Sequence, residues 1–214
     1  PFVCLRVRIE GNNNISELVI SEGTHNVYIR SFSSLTSISI PSTVDSFENA
    51  LGQSLVCLYC PNLAQIDVHA DNPDFKSVDG VLYSKDGSTI LRYPPGRQGV
   101  YSIPGGVNNI GPYAFRGMIL SAITIPSGVA SISRYAFNAA INLVSVNFET
   151  FWNPVSHRWY GLSELGQGAF YGCSALSDIT LPRTFTDAGS FVFDECTSLE
   201  EIGAMDLKNR SIRL

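Results

Sequence analysis

An apolar phrase returns along this chain at a near-constant interval, and that periodicity restricts the possible folds more than any other feature. It reads Leu120-x-x-Ile123-x-Ile125-Pro126, then Val129-x-x-Ile132, then Ala136-Phe137. It recurs as Leu176-x-x-Ile179-x-Leu181-Pro182 with Phe185, Ala188 and Val192-Phe193, and as Leu35-x-x-Ile38-x-Ile40-Pro41 with Val44 and Phe47. Partial copies start at Ile15, Leu63, Leu143 and Leu199, and another keeps Tyr101-x-Ile103-Pro104, Val107, Ile110 and Ala114-Phe115. The leading positions 120, 143, 176 and 199 are separated by 23, 33 and 23 residues. The 57 residues between positions 63 and 120 hold two such periods with 11 left over. The two excesses locate two insertions.

Each part of the unit has a physical reading. The alternating Ile-x-Ile step makes a short strand with its apolar side turned inward. The Pro that follows donates no backbone hydrogen bond and stops the strand. A Gly/Ser/Asn turn leads to a second apolar step, and then an Ala-Phe turn plugs the core. No unit can bury its apolar side alone, so neighbours must stack into a solenoid with a parallel sheet along one side. We read the chain as one repeat domain over 1–214. Degenerate repeats fill 1–68, a hairpin insertion 69–97, regular repeats 98–207 and a tail 208–214.

Composition excludes several functions. Only 15% of the 214 residues are charged and the net charge is −5, which gives no electrostatic reason to bind nucleic acid or an anionic membrane. No apolar run approaches the ~18–20 residues of a membrane span. The chain opens at Pro1 without a basic, then apolar, leader, and so reads as a segment of something longer.

The segments IPGGVNNIGPYAFRG, AITIPSGVASISRYAF and GQGAFYGCSALSDITLP resemble BspA-type leucine-rich repeats, over about residues 15–207. The resemblance implies a leucine-rich-repeat solenoid of α/β type, mostly β with short helical or 3₁₀ turns. It also implies a cell-surface or secreted location and binding of proteins or other ligands, often as an adhesin. It implies no enzymatic activity, and the motif residues it covers are core positions.

Chemistry-bearing residues are sparse. Cys60, Cys173 and Cys196 each stand three residues before a leading Leu, the pattern of a buried, reduced packing ladder. Cys57 and Cys60 form a C-x-x-C, but a zinc site needs a second pair or well-spaced His, and only His69 is near. Neither a metal nor a cofactor is expected. His25, His69 and His157 fall at unrelated offsets, and no G-x-S-x-G elbow is present. Asp71, Asp74 and Asp79 lack calcium-loop spacing and read as a solvated turn. Asn14-Ile15-Ser16 and Asn209-Arg210-Ser211 are glycosylation sequons that matter only in a eukaryotic secreted protein.

The first insertion alternates apolar and polar residues around Asp-Gly steps, the signal of a β-hairpin near 75–93. Tyr83, Arg92 and Tyr93 are candidates to line one side of it, with Arg97 beside them. The second insertion, near 149–160, holds both Trp of the chain in Phe151-Trp152-Asn153-Pro154-Val155-Ser156-His157-Arg158-Trp159-Tyr160. Insertions in repeat proteins map to loops on one face, often the binding face, and Trp, Tyr and Arg dominate interface hot spots. Trp152, His157, Arg158, Trp159 and Tyr160 are therefore the first candidates for ligand contact. The alternative is that both Trp fold inward and cap a gap between units. Solvent-facing strand positions form a hydroxyl-rich row that includes Ser37, Ser39, Asp178 and Thr180, the last two being secondary candidates.

The expected function is recognition of an extracellular protein or glycoprotein by a non-enzymatic, adhesin-like module, at the cell surface or outside the cell. No nucleic acid and no membrane insertion are expected. The alternative is an architectural spacer without a ligand of its own.

Overall fold

A computed structural model describes residues 5–11, 14–47, 57 and 59–204. Cys4, the sequon at Asn209 and the whole of the expected tail at 208–214 lie outside the described residues. Contacts group the chain into two compact units, residues 1–97 and 98–214. Both are stretches of leucine-rich-repeat solenoid.

The first unit contains β1 (Leu5–Glu10), β2 (Glu17–Val19), β3 (Thr24–Arg30), β4 (Ser37–Ile40), β5 (Gln65–Val68), β6 (Phe75–Val78), β7 (Val81–Ser84) and β8 (Thr89–Arg92). Strands β2, β4 and β5 pair in parallel, with Leu18 opposite Ile38 and Ile38 opposite Ile66, so equivalent repeat positions stack. Ile38, Ile40 and Ile66 are buried while Ser37, Ser39, Gln65 and Asp67 turn outward. Strands β1 and β3 form a second parallel pair.

The first insertion is a three-stranded antiparallel meander rather than a single hairpin. Strands β6 and β7 are joined by Asp79-Gly80, both at positive φ (47° and 69°), which is the backbone of a tight two-residue hairpin turn. Strand β8 returns after a second turn at 85–88. Asn72 ties the meander to the solenoid. Its amide is buried, donates to Pro41 O and Val44 O at 2.9 and 2.8 Å, and accepts the N–H groups of Asp74 and Phe75.

The second unit contains β9 (Gln98–Ser102), β10 (Asn109–Ile110), β11 (Ile119–Ile125), β12 (Ser131–Ile132), β13 (Ser145–Phe148), β14 (Phe151–Asn153), β15 (Arg158–Tyr160), β16 (Glu164–Leu165), β17 (Asp178–Leu181), β18 (Asp187–Ala188) and β19 (Glu201–Ala204). Each repeat has three sides. One is the strand row, where β9, β11 and β13 pair in parallel and β17 pairs with β19. The second is a row of two-residue strands, β10, β12, β16 and β18, all parallel.

The third side is the Ala-Phe turn. Phe115, Phe137 and Phe170 are fully buried and stack at 4.9 Å, with Phe193 following at 5.7 Å. That spacing is the distance between neighbouring strands, because the turns are laddered by backbone bonds such as Phe115 N–H to Ala136 O and Phe137 N–H to Ala169 O. The turns hold no helix, and no helical segment occurs among the described residues. The short helical turns implied by the family are instead single turns closed by i→i+3 bonds, such as Arg116 N–H to Tyr113 O. Two left-handed residues per turn stop any helix: Tyr113 with Gly117, Tyr135 with Ala139, Gly168 with Gly172, and Phe191 with Glu195.

Candidate functional site

In four repeats the strand runs into a Pro, at 41, 104, 126 and 182, and the chain turns at once. After β13 it runs out instead into a hairpin. Strands β14 and β15 pair antiparallel, with Phe151 opposite Tyr160, Trp152 opposite Trp159 and Asn153 opposite Arg158. The connecting residues are Pro154–His157. Asn153 Oδ1 accepts the N–H groups of Val155 and Ser156 at 2.9 and 3.1 Å, and His157 closes the loop at a φ of 50°. These bonds satisfy the loop locally, as Asx turns do.

Strand alternation sorts the rings. Trp152 and Trp159 lie on one face with ring centres 5.4 Å apart, while Phe151 and Tyr160 share the other face at 6.4 Å. All four stay in water, at 52% exposure for Phe151, 41% for each Trp and 46% for Tyr160. The inward, gap-capping alternative for the two Trp is therefore not adopted.

The hairpin is rooted at Gly161, which is buried and adopts a φ of 152°. A Cβ there would stand 3.1 Å from Glu149 O, Thr150 Cγ2 and Thr184 Oγ1. Two hydroxyls fasten the chain beyond it, Thr184 donating to Leu162 O at 2.6 Å and Ser163 to Ala130 O at 2.9 Å.

Between the hairpin and the turns of flanking repeats lies a cleft of about 760 Å³. The hairpin residues Phe151, Trp152, His157, Arg158, Trp159 and Tyr160 line one side of it. The opposite side comes from turns after other strands, through Asn108, Ser127, Arg183 and Thr184. The Arg183 guanidinium lies 4.6 Å from the Trp159 ring centre, within cation–π range. No Asp or Glu lines the cleft.

The structure thus brings the five first candidates, Trp152, His157, Arg158, Trp159 and Tyr160, into one cleft. Asp178 and Thr180 face solvent on β17 and do not line it. Tyr83, Arg92 and Tyr93 are corrected from surface to interior, at 3%, 5% and 3% exposure. The Arg92 side chain reaches inward, its Nη2 3.4 Å from Cys57 O, and burial pushes the Tyr93 phenol above its ordinary value, against the pull of Arg97. The sequence reading missed Asn108, Ser127, Ser163, Arg183 and Thr184. Three of these, Ser127, Arg183 and Thr184, occupy the one or two positions after a strand-ending Pro, and that shared offset was the available signal.

The cysteines divide. Cys57 and Cys60 form a disulfide, so Cys60 holds the expected buried position but not as a free thiol. Its partner three residues back is what separates it from the ladder. Cys173 and Cys196 are free and buried, and donate to Phe137 O and Phe170 O at 3.2 and 3.1 Å. The hydrogen bond to Cys196, together with burial, pushes the Cys173 thiol far up. Among the described residues no three His, Cys, Asp or Glu side chains converge on a possible metal position. The histidines stay apart, His25 with Asp45 at 3.0 Å, His69 near Asp71 at 3.9 Å, and His157 on the hairpin. In the first unit a smaller concavity of about 470 Å³ is lined by residues that include Val19, Glu22, Pro41, Val68 and His69. Its Glu22 carboxylate is already held by the Ser42 N–H and hydroxyl, which lower its pKa.

Residues 100–202, just under half of the chain, match six copies of the BspA type leucine rich repeat region. These repeats are similar to those of the BspA-type leucine-rich-repeat family. Among solved structures it is similar to a leucine-rich repeat protein of Eubacterium ventriosum, with 21% identity and a TM-score of 0.59, over 87% of this chain and 54% of that one. A leucine rich cell surface protein of Faecalibacterium prausnitzii gives 22% identity and a TM-score of 0.59, over 92% and 61% of the two chains. The pneumococcal vaccine antigen PcpA gives 19% identity and a TM-score of 0.50, over 96% and 68%. This chain thus spans little more than half the length of the first two, and at these identities the likeness is one of fold. No curated protein matches the chain significantly in sequence.

Proposed function

We propose that this chain is a non-catalytic recognition module of a cell-surface or secreted protein, adhesin-like, which contacts its ligand through the 151–160 hairpin. One observation carries the reading: four aromatic rings on a ten-residue hairpin remain 41–52% exposed beside a cleft. An exposed cluster of large rings costs free energy in water and is characteristic of an interaction site. The repeat family and the cell-surface protein that shares the fold support the location. Asp178, Thr180 and the rest of the strand row supply hydroxyls but no ring and no cation, and rank below the hairpin.

The test is binding of the purified chain to immobilised extracellular matrix proteins and host glycoproteins, beside a Trp152→Ala/Trp159→Ala variant with an unchanged far-UV spectrum. A saturable ligand lost in the variant supports the hairpin as the contact. A ligand retained in full moves the contact elsewhere. No ligand at all favours the spacer alternative.

A further inference from the structure

We infer that the cleft beside the hairpin binds an anionic saccharide, its carboxylate or sulfate held by Arg183 and its sugar ring laid against the indoles. The inference rests on the recognition role proposed above and names the chemical class of the ligand.

Charge is the first ground. The chain carries 19 acidic and 14 Lys/Arg residues, so a randomly chosen patch of its surface would be mixed or acidic. The cleft departs from this. Arg158, Arg183 and His157 line it and no carboxylate does. Among the described residues no Asp or Glu forms an ion pair with either arginine. A cleft lined by cations and by no carboxylate favours an anion.

The second ground is pre-organisation. Arg183 is stacked 4.6 Å from the Trp159 ring centre. A guanidinium lying on an indole spends its face on the ring and keeps its edge N–H groups for an oxyanion, the bidentate geometry that suits carboxylate and sulfate. Stacking also removes much of the rotamer entropy that binding would otherwise cost.

The third ground separates a saccharide from an acidic peptide. A peptide side chain used as an anchor needs a closed, well-packed socket. This cleft instead offers tilted, half-exposed ring surfaces and a rim of small polar side chains, Asn108, Ser127, Ser163 and Thr184. A pyranose presents a flat face of C–H groups to a ring and a perimeter of hydroxyls to such a rim. Its volume of about 760 Å³ suits a short oligosaccharide, within the roughly 300–1,000 Å³ range of ligand sites.

The experiment titrates the whole chain, by calorimetry, with heparin-derived hexasaccharide, oligogalacturonate and 3′-sialyllactose. Maltohexaose and lactose serve as neutral counterparts and poly-glutamate as the peptide control. Variants are Arg183→Gln, Arg158→Gln and Trp159→Ala, each checked by far-UV circular dichroism, with Asp178→Asn as a surface control outside the cleft. The expected result is saturable binding of at least one acidic saccharide, with its neutral counterpart and the Arg183→Gln and Trp159→Ala variants each weaker by about tenfold or more, as loss of a charge-assisted contact implies. Which probe binds distinguishes a sulfated from a carboxylated ligand. Equal binding of neutral sugars, an undiminished affinity in folded Arg183→Gln, or binding of poly-glutamate alone would overturn the inference. If no saccharide binds while a protein ligand is lost in Trp152→Ala/Trp159→Ala, this inference fails and the recognition role stands. If neither binds, both fail.

Discussion

Truncation of Phe137 tests the packing argument most directly. Its ring is fully buried and lies between Phe115 and Phe170, 4.9 Å from each and within 12° and 5° of parallel. Loss of a buried Phe side chain to Ala costs about 3–5 kcal/mol. Each stacked contact contributes a further ~0.5–1.5 kcal/mol beyond burial, and Phe137 loses two, which places Phe137→Ala near the top of that range. Phe193, half-buried with one stacked neighbour in the ladder at 5.7 Å, should lose roughly half as much. The assay is urea unfolding followed by far-UV circular dichroism, because both Trp lie on the exposed hairpin and report poorly on the core. A Phe115→Leu/Phe137→Leu double-mutant cycle should return a coupling of about 0.5–1.5 kcal/mol. A loss below about 1 kcal/mol for Phe137→Ala, or equal losses at 137 and 193, would refute the ladder as the element that holds successive turns together.

Other outcomes follow from the same geometry. Acrylamide should quench the fluorescence of the folded chain readily, since Trp152 and Trp159 are each 41% exposed; a blue-shifted, quencher-resistant emission would mean the indoles are capped after all. Alkylation mapped by mass spectrometry should spare Cys173 and Cys196 in the native protein, and rapid modification of both would remove them from the core. Gly161→Ala should cost about 1–2 kcal/mol and weaken ligand binding, because its Cβ would crowd Glu149, Thr150 and Thr184 at a positive φ; unchanged binding would show that the hairpin needs no fixed root. Asp86 accepts bonds from the Ser84 hydroxyl and from the Ser88 N–H and hydroxyl, which lower its carboxyl to about 2. Its contribution to the meander is therefore complete above the ordinary carboxyl range near pH 4 and is lost as pH falls toward about 2. Asp86→Asn should remove that acid dependence, and an unchanged acid titration would show that these bonds do not matter to folding.

Most of the solenoid was legible because its interactions are periodic. Leu120, Ile123, Ile125 and Phe137 announce their burial by recurrence, and the pairing of β11 with β13 only places equals opposite equals, Ile123 on Val146 and Ile125 on Phe148. The free Cys173 and Cys196 followed from the same rule. The rule failed where a residue answers to a partner outside its repeat position. Cys60 is taken by Cys57, and Arg92 is drawn inward to the Cys57 carbonyl. Tyr83, a candidate to line one side of the hairpin, is interior because Val81, Leu82 and Tyr83 are buried in succession, so both faces of β7 are covered.

The candidate site divides the same way. Sequence alone determined that an aromatic insertion interrupts one repeat, that both Trp lie in it, and that repeat insertions emerge on a surface. These are facts of order along the chain. Only the tertiary structure decided that the rings stay in solvent, because β14 pairs with β15 and the segment forms a hairpin of its own instead of folding into the core. It alone brought Asn108, Ser127 and Arg183, from turns tens of residues away, to the same cleft. Stacking of successive turns places residues with a common repeat offset side by side, so a site spanning several turns forms only when the solenoid closes.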